Sequence, residues 1–169
     1  MLKVNTQQLC ESAKSKLKTA AERLEIFLNQ YSLTQLADEP GEETIGFYKG
    51  LLGDLRHLLV FTEIHYEKLG VLLRRASFDQ DAAEKELYHV YHDCVNQFFY
   101  PKSESYVEDG RYAYTGQDAI RFRMKPVVSV RSVIHDITKL FEELRDELTY
   151  YESDYLTRRR MQQEAIVRT

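Results

Sequence analysis

Apolar residues recur at steps of three and four along four long stretches of this chain. Leu9, Ala13, Leu17, Ala20, Leu24, Phe27 and Tyr31 make the first stripe, and at helical pitch they share one side of a helix over residues 5–31. A polar segment follows, and Asp38-Glu39-Pro40-Gly41-Glu42-Glu43 combines a turn dipeptide with clustered acid, which predicts a loop. Phe47, Leu51, Leu55, Leu58, Thr62, Leu69 and Leu72, widened by Leu52, Leu59, Tyr66 and Leu73, predict a second, well-buried helix over 45–75. Glycine costs about 1 kcal/mol against alanine inside a helix. Gly46, Gly50 and Gly53 therefore imply a close backbone approach or a weak first turn. Ser77-Phe78-Asp79-Gln80 has the form of a capping box, and Ala83, Leu87, Val90, Tyr91, Cys94, Val95 and Phe98 continue it as a third helix over 79–99, ended by Pro101. After Pro126, the positions Val130, Val133, Ile134, Ile137, Leu140, Phe141, Leu144, Leu148 and Tyr151 predict a fourth helix over 128–157 or beyond.

Between the third and fourth helices the period changes from 3.6 to 2. Asp109-Gly110 is the pair that a two-residue hairpin turn requires, with Tyr106-Val107-Glu108 before it and Arg111-Tyr112-Ala113-Tyr114 after it. Ile120-Arg121-Phe122-Arg123-Met124-Lys125 then alternates apolar and basic residues, the pattern of a strand with one buried face. Sorting the positions by parity puts Val107, Tyr112, Tyr114, Ile120, Phe122 and Met124 against the helices, and Tyr106, Arg111, Arg121, Arg123 and Lys125 on the outer face. Four amphipathic helices bury their stripes most simply against one another. The predicted fold is mainly α: an antiparallel four-helix bundle forming a single domain over 1–169. It carries a small antiparallel β-hairpin or three-stranded insertion at about 103–125 and a basic tail at about 158–169.

The chain has 169 residues, 43% of them apolar, enough to form a core without disulfides or a structural metal. Its 23 Lys and Arg against 27 Asp and Glu leave a net charge of -4, which argues against a dedicated duplex-DNA binder. The sign is uneven: residues 127–157 carry 3 basic and 7 acidic side chains, whereas Arg121, Arg123, Lys125 and Arg131 lie in a stretch without an acid. No apolar run approaches the ~20 residues of a membrane helix. The opening Met-Leu-Lys-Val-Asn-Thr-Gln-Gln lacks the apolar core of a secretory signal, and both cysteines fall within helical patterns, so the expected setting is reduced and cytoplasmic, with no membrane partner.

Blocks spread over most of the chain carry a family resemblance. They are Phe27-Leu28-Asn29-Gln30-Tyr31, Tyr48-Lys49-Gly50-Leu51-Leu52-Gly53-Asp54-Leu55-Arg56, Ala82-Ala83-Glu84-Lys85, Phe98-Phe99-Tyr100-Pro101-Lys102 and Ala113-Tyr114-Thr115-Gly116. Together they resemble the YpuI-like family of uncharacterised Bacillus proteins. The resemblance implies a cytoplasmic bacterial protein and transfers no catalytic residue.

Chemistry is concentrated in Glu86-Leu87-Tyr88-His89-Val90-Tyr91-His92-Asp93-Cys94. Glu86-x-x-His89 places a carboxylate and an imidazole on one helical face, as carboxylate-bridged metal bundles require, but it is half of such a site. Its nearest companion, Asp54-Leu55-Arg56-His57, has aspartate where glutamate is needed. The plainer reading makes Glu86, His89 and Asp93 a solvated shoulder beside the core stripe. Cys94 and Cys10 have no local base, since His92 lies two positions from Cys94 and points away from it, while a more distant histidine such as His135 stays open as a partner. No catalytic residue and no cofactor is assigned.

The leading expectation is a non-enzymatic helical interaction module that pairs with itself or another protein, through either a helix face or the Tyr106, Arg111, Arg121, Arg123 and Lys125 face of the insertion. One alternative is a metal-dependent bundle enzyme centred on Glu86 and His89. Another is nucleic-acid or phosphate-ligand binding through the basic strand 120–125. Solubility is the plainer role for that strand's charges and for the tail at Arg158, Arg159 and Arg160.

Overall fold

The structure, a computed structural model, describes residues 5–37, 41–109 and 120–168. Helix makes up 79% of what is described, which settles the class as mainly α, and the rest includes a small two-stranded antiparallel sheet. Helix α1 (Thr6–Gln30) starts where the Asn5 side chain accepts the Gln7 N–H at 3.0 Å. A short α2 (Leu33–Leu36) occupies the polar segment predicted as loop, held by a reciprocal cap between Ser32 and Gln35. Helix α3 spans Glu42–Arg74. Helix α4 consists of Gln80–His89, a π-helical turn Val90–Val95 and Asn96–Phe99. Its N-cap is Asp79, which accepts the Ala82 N–H at 3.1 Å, so the predicted Ser77 cap lies two residues too early.

The fourth predicted helix divides into α5 (Val128–Glu147), a 3-10 turn (Thr149–Tyr151) and α6 (Asp154–Val167). The expected tail is therefore helical, and of α6 only Tyr155 is buried. Helix α1 packs on α3, α4 and α5, and α4 on α3 and α5, so these four long helices share one apolar core. Its fully buried side chains include Leu17, Leu24, Leu51, Leu58, Leu87 and Phe141.

Two positions on α3 set where the sheet sits. A side chain at Gly50 would meet Ser103 Cβ at 2.9 Å, so the absent Cβ there lets the turn after α4 lie directly on the helix. One turn later the buried Asp54 accepts the Ser103 N–H at 3.1 and 3.2 Å and the Ser105 hydroxyl at 3.4 Å. The turn itself uses a left-handed backbone at Glu104, φ 51°. It leads into β1 (Tyr106–Glu108), which pairs antiparallel with β2 (Ile120–Phe122) in the register Tyr106↔Phe122, Val107↔Arg121 and Glu108↔Ile120. Among the described residues the sheet has two strands, not three; Asp109-Gly110 as a turn and the strand expected at Arg111 to Tyr114 involve residues outside those described.

Within β1 the predicted parity is reversed. Tyr106 is 2% exposed, whereas Val107, expected on the inner face, is 52% exposed. The cause is a polar handle on a large ring: the Tyr106 hydroxyl donates to the Phe98 carbonyl at 2.6 Å while its ring packs beside Phe98 and Phe122. Phe98 in turn stacks on Phe141 at 4.7 Å, which joins the sheet to both α4 and α5. In β2 the expected parity holds, with Ile120 inward and Arg121 outward. Tyr106→Ala is expected to cost about 3–5 kcal/mol, in line with deletion of other buried aromatics. Val107→Thr should stay within about 0.5 kcal/mol. Urea unfolding of both variants measures the difference, and equal costs would reverse the assignment of faces.

Candidate functional site

The polar groups that matter most lie where the second half of α3 faces the middle of α4. His65 occupies a position in the α3 core stripe, three residues after Thr62 and four before Leu69, and is 2% exposed. Its Nδ1 lies 2.5 Å from Glu86 Oε1 and its Nε2 2.8 Å from Asp93 Oδ2. Ionised carboxylates only accept, so an imidazole between two of them donates from both nitrogens and carries a positive charge. Burial alone pulls the His65 pKa down, but hydrogen bonding and charge from Glu86 and then Asp93 outweigh it and leave it raised from the ordinary histidine value. Glu86 is 7% exposed, and Asp93 sits in the π turn of α4 with a partly exposed side chain. Of the expected solvated shoulder, Glu86 is buried while His89 and Asp93 are half-buried, and Glu86 and Asp93 join His65 in an ion triad that fastens α4 to α3.

This arrangement limits the chemistry open to these residues. With both ring nitrogens engaged, His65 can neither take a proton nor ligate a metal unless one of its two bonds opens. The His89 ring lies nearly parallel to that of His65 at 6.4 Å. The proposed companion pair is elsewhere. Asp54 holds the Ser103 turn and His57 is exposed, and the eleven residues from Asp54 to His65 amount to about 16 Å along the helix axis. Among the described residues no three His, Cys, Asp or Glu side chains come together so as to hold a metal ion.

The two thiols are fully buried. Burial pushes Cys10 up to about 12, with Glu86 and Glu11 adding to the shift. Cys94 is raised well above the thiol range by burial first, then by Asp93 and Glu86, against a smaller opposing effect of Thr62. Both are held as neutral thiols, the unreactive form. His135 is exposed on α5.

The predicted cationic face is gathered in part. Arg121, Arg123 and Lys125 are exposed, and Arg121 and Lys125 line a depression of about 440 Å³ with Arg131, Ile120, Phe122, Met124 and Pro126. Arg123 stands 5.8 Å from the Phe47 ring centre. Arg111 lies outside the described residues, and Tyr106 points into the core. Beside the His65 triad, a second and larger cleft of about 530 Å³ opens between α3 and α4, with Glu86 and His89 on its wall.

A family model described as "Protein of unknown function (DUF3907)" matches residues 10–157. The chain belongs to the DUF3907 family. A relative in Bacillus subtilis (strain 168), "Uncharacterized protein YpuI", is 37% identical over 128 residues, covering 75% of this chain and 70% of the relative. No solved structure matches. No helix among the described residues of this DUF3907 chain is long and apolar enough to cross a membrane.

His65 was absent from the sequence reading because a histidine inside an apolar stripe looks like a tolerated exception. The available signal was the phase: Thr62, His65 and Leu69 share one face of α3, while Glu86 and Asp93, seven apart, share one face of a regular helix. The raised His65 pKa makes the stability of this DUF3907 chain depend on pH. The triad's contribution is fully present below the unfolded histidine value of about 6.5 and is lost as pH rises through the higher folded value. Urea unfolding at about pH 6 and about pH 9 should show the loss in the native chain and a smaller loss in His65→Gln. Identical pH profiles for the two proteins would remove the charged triad.

Proposed function

We propose that this chain is a non-enzymatic helical interaction module that pairs through the outer face of α3. One observation carries the reading: α3 leaves Ile45, Val60 and Ile64 between 41% and 52% exposed on its outer side. Side chains built at Gly46 and Gly53 would meet nothing within 4 Å, so the same strip is flat. Gly46, Gly53 and Val60 follow at steps of seven, which aligns them along one side of the helix. Small residues admit close approach of another helix, and exposed aliphatic side chains supply the area it would bury.

The partner that fits best is a second copy of the chain, with the two α3 helices antiparallel. That arrangement sets the glycine-bearing half of one helix against Val60 and Ile64 of the other. It also brings exposed Lys49 and Arg56 toward exposed Glu63 and Glu67. The mutual packing of α1, α3, α4 and α5 supports reading the 169 residues as a single domain built on an antiparallel four-helix bundle. The buried neutral thiols support a reducing, cytoplasmic setting. The insertion's outer face keeps Arg121, Arg123 and Lys125 but loses its tyrosine, so it is the weaker surface for a partner.

Light scattering on the eluting protein should give a mass near twice that of the chain, falling to the single-chain mass on dilution. In Val60→Lys/Ile64→Lys, both exposed positions, the dissociation constant should rise at least about tenfold with the melting temperature unchanged. A single-chain mass at every concentration would end the pairing proposal.

A further inference from the structure

Near its C-terminal end the exposed side of α3 runs on into a second surface, with Val71 seven residues after Ile64. Lys68, Val71, Leu72 and Arg75 follow the i, i+3, i+4, i+7 spacing of one helical face, with Arg75 as the residue that closes the helix. Ala82, Lys85, Glu86 and His89 repeat that spacing on α4. The two faces meet across the cleft of about 530 Å³, a volume typical of small-molecule sites. Seven residue steps on each wall give it a length of about 10 Å.

The lining divides into an apolar part and a charged rim. Val71, Leu72 and Ala82 provide the apolar part, with Leu72 buried and Val71 48% exposed. Around it stand three permanent cations, Lys68, Arg75 and Lys85, against the acids Glu67 and Glu86. Glu86 is already spent on His65, which leaves Glu67 as the unspent acid. Arg75 approaches Asp79 at 3.8 Å with both side chains about half exposed, a contact that competes weakly with a ligand. Lys68 and Lys85 have no ion pair or hydrogen bond among the described residues. In a chain of net charge -4, this cleft therefore sets three cations against one unspent acid beside apolar side chains.

We propose that this cleft binds a small organic anion with an apolar body. Its carboxylate or phosphate head is held by Lys68, Arg75 and Lys85, and its body lies on Val71, Leu72 and Ala82. The His65 bond keeps Glu86 from repelling the head. The site borders the α3 pairing face, sharing Glu67 with it, and its binding does not require pairing.

The probe is 8-anilinonaphthalene-1-sulfonate, an aromatic anion whose fluorescence rises in an apolar pocket, added to the full chain and displaced with decanoate or inorganic phosphate. The expected result is saturable binding displaced by decanoate and, at least about tenfold more weakly, by inorganic phosphate, which lacks the apolar body. Lys68→Glu/Lys85→Glu should weaken probe and decanoate at least about tenfold, since each charge-assisted contact contributes more than a neutral one. Melting curves and circular dichroism matching the native chain establish that the variant is folded. Val60→Lys, on the pairing face, should leave probe binding unchanged. The proposal is overturned by the absence of saturable binding, by equal affinity in the folded double-lysine variant, by loss of binding in Val60→Lys alone, or by inorganic phosphate displacing as well as decanoate.

Discussion

A positively charged imidazole buried between two carboxylates is costly to form and costlier to disturb, and that constraint governs how α3 and α4 meet. Removing a charge from water carries a penalty of several kcal/mol, and only a close opposite charge with hydrogen bonds offsets it. His65 has such a partner at each nitrogen, at 2.5 and 2.8 Å. Apolar contacts alone would let the two helices slide or rotate with modest losses, since one oily surface resembles another. The triad accepts one rotation of α3 and one depth of α4. Both hydrogen bonds form together only at that rotation and depth.

Helix α3 serves as the ruler for the other elements. Near its start, Gly50 and Asp54 seat the turn at Ser103, and so the sheet. Midway, Thr62 and His65 face α4, with the Thr62 hydroxyl turned back to the Leu58 carbonyl. At its end, Lys68 to Arg75 form one wall of the α3/α4 cleft. Tyr48 reaches further and accepts the Val127 N–H at 3.1 Å, which places the start of α5. The inner side of this helix is thus fully occupied by its own chain, which is why the exposed aliphatic strip on its other side stands out.

The helices were legible because burial of one stripe imposes a period that the residues cannot hide: Leu9 to Tyr31 and Val130 to Tyr151 are nearly uniform in it. The placement of Gly50 against a neighbouring backbone was half legible, since three glycines pointed to close approach and one of them makes it. The orientation of β1 was not. Parity counted from a turn treats tyrosine as polar, but a tyrosine whose hydroxyl finds a carbonyl is among the largest apolar groups available, and Tyr106 goes inward on that basis. The site was legible on one side only: Glu86, His89 and Asp93 stood out on α4, while His65 was concealed by the stripe that carries it. Pairings across two elements depend on depth and rotation, and neither is encoded in the spacing along a single helix.

The π turn at Val90–Val95 has a consequence for how length can vary in this region. A wide turn accommodates one residue more than the α-helical path, and removing that residue would return the segment to regular pitch. Because the wide turn spreads its extra residue over the same path, everything downstream would keep its facing. Phe98 would keep its stack on Phe141, and the carbonyl that receives the Tyr106 hydroxyl would stay with it. A single-codon deletion there would thus leave the strand eight residues beyond Phe98 seated, whereas the same deletion in the regular stretch Gln80–His89 would turn every later residue by about 100° and unseat it.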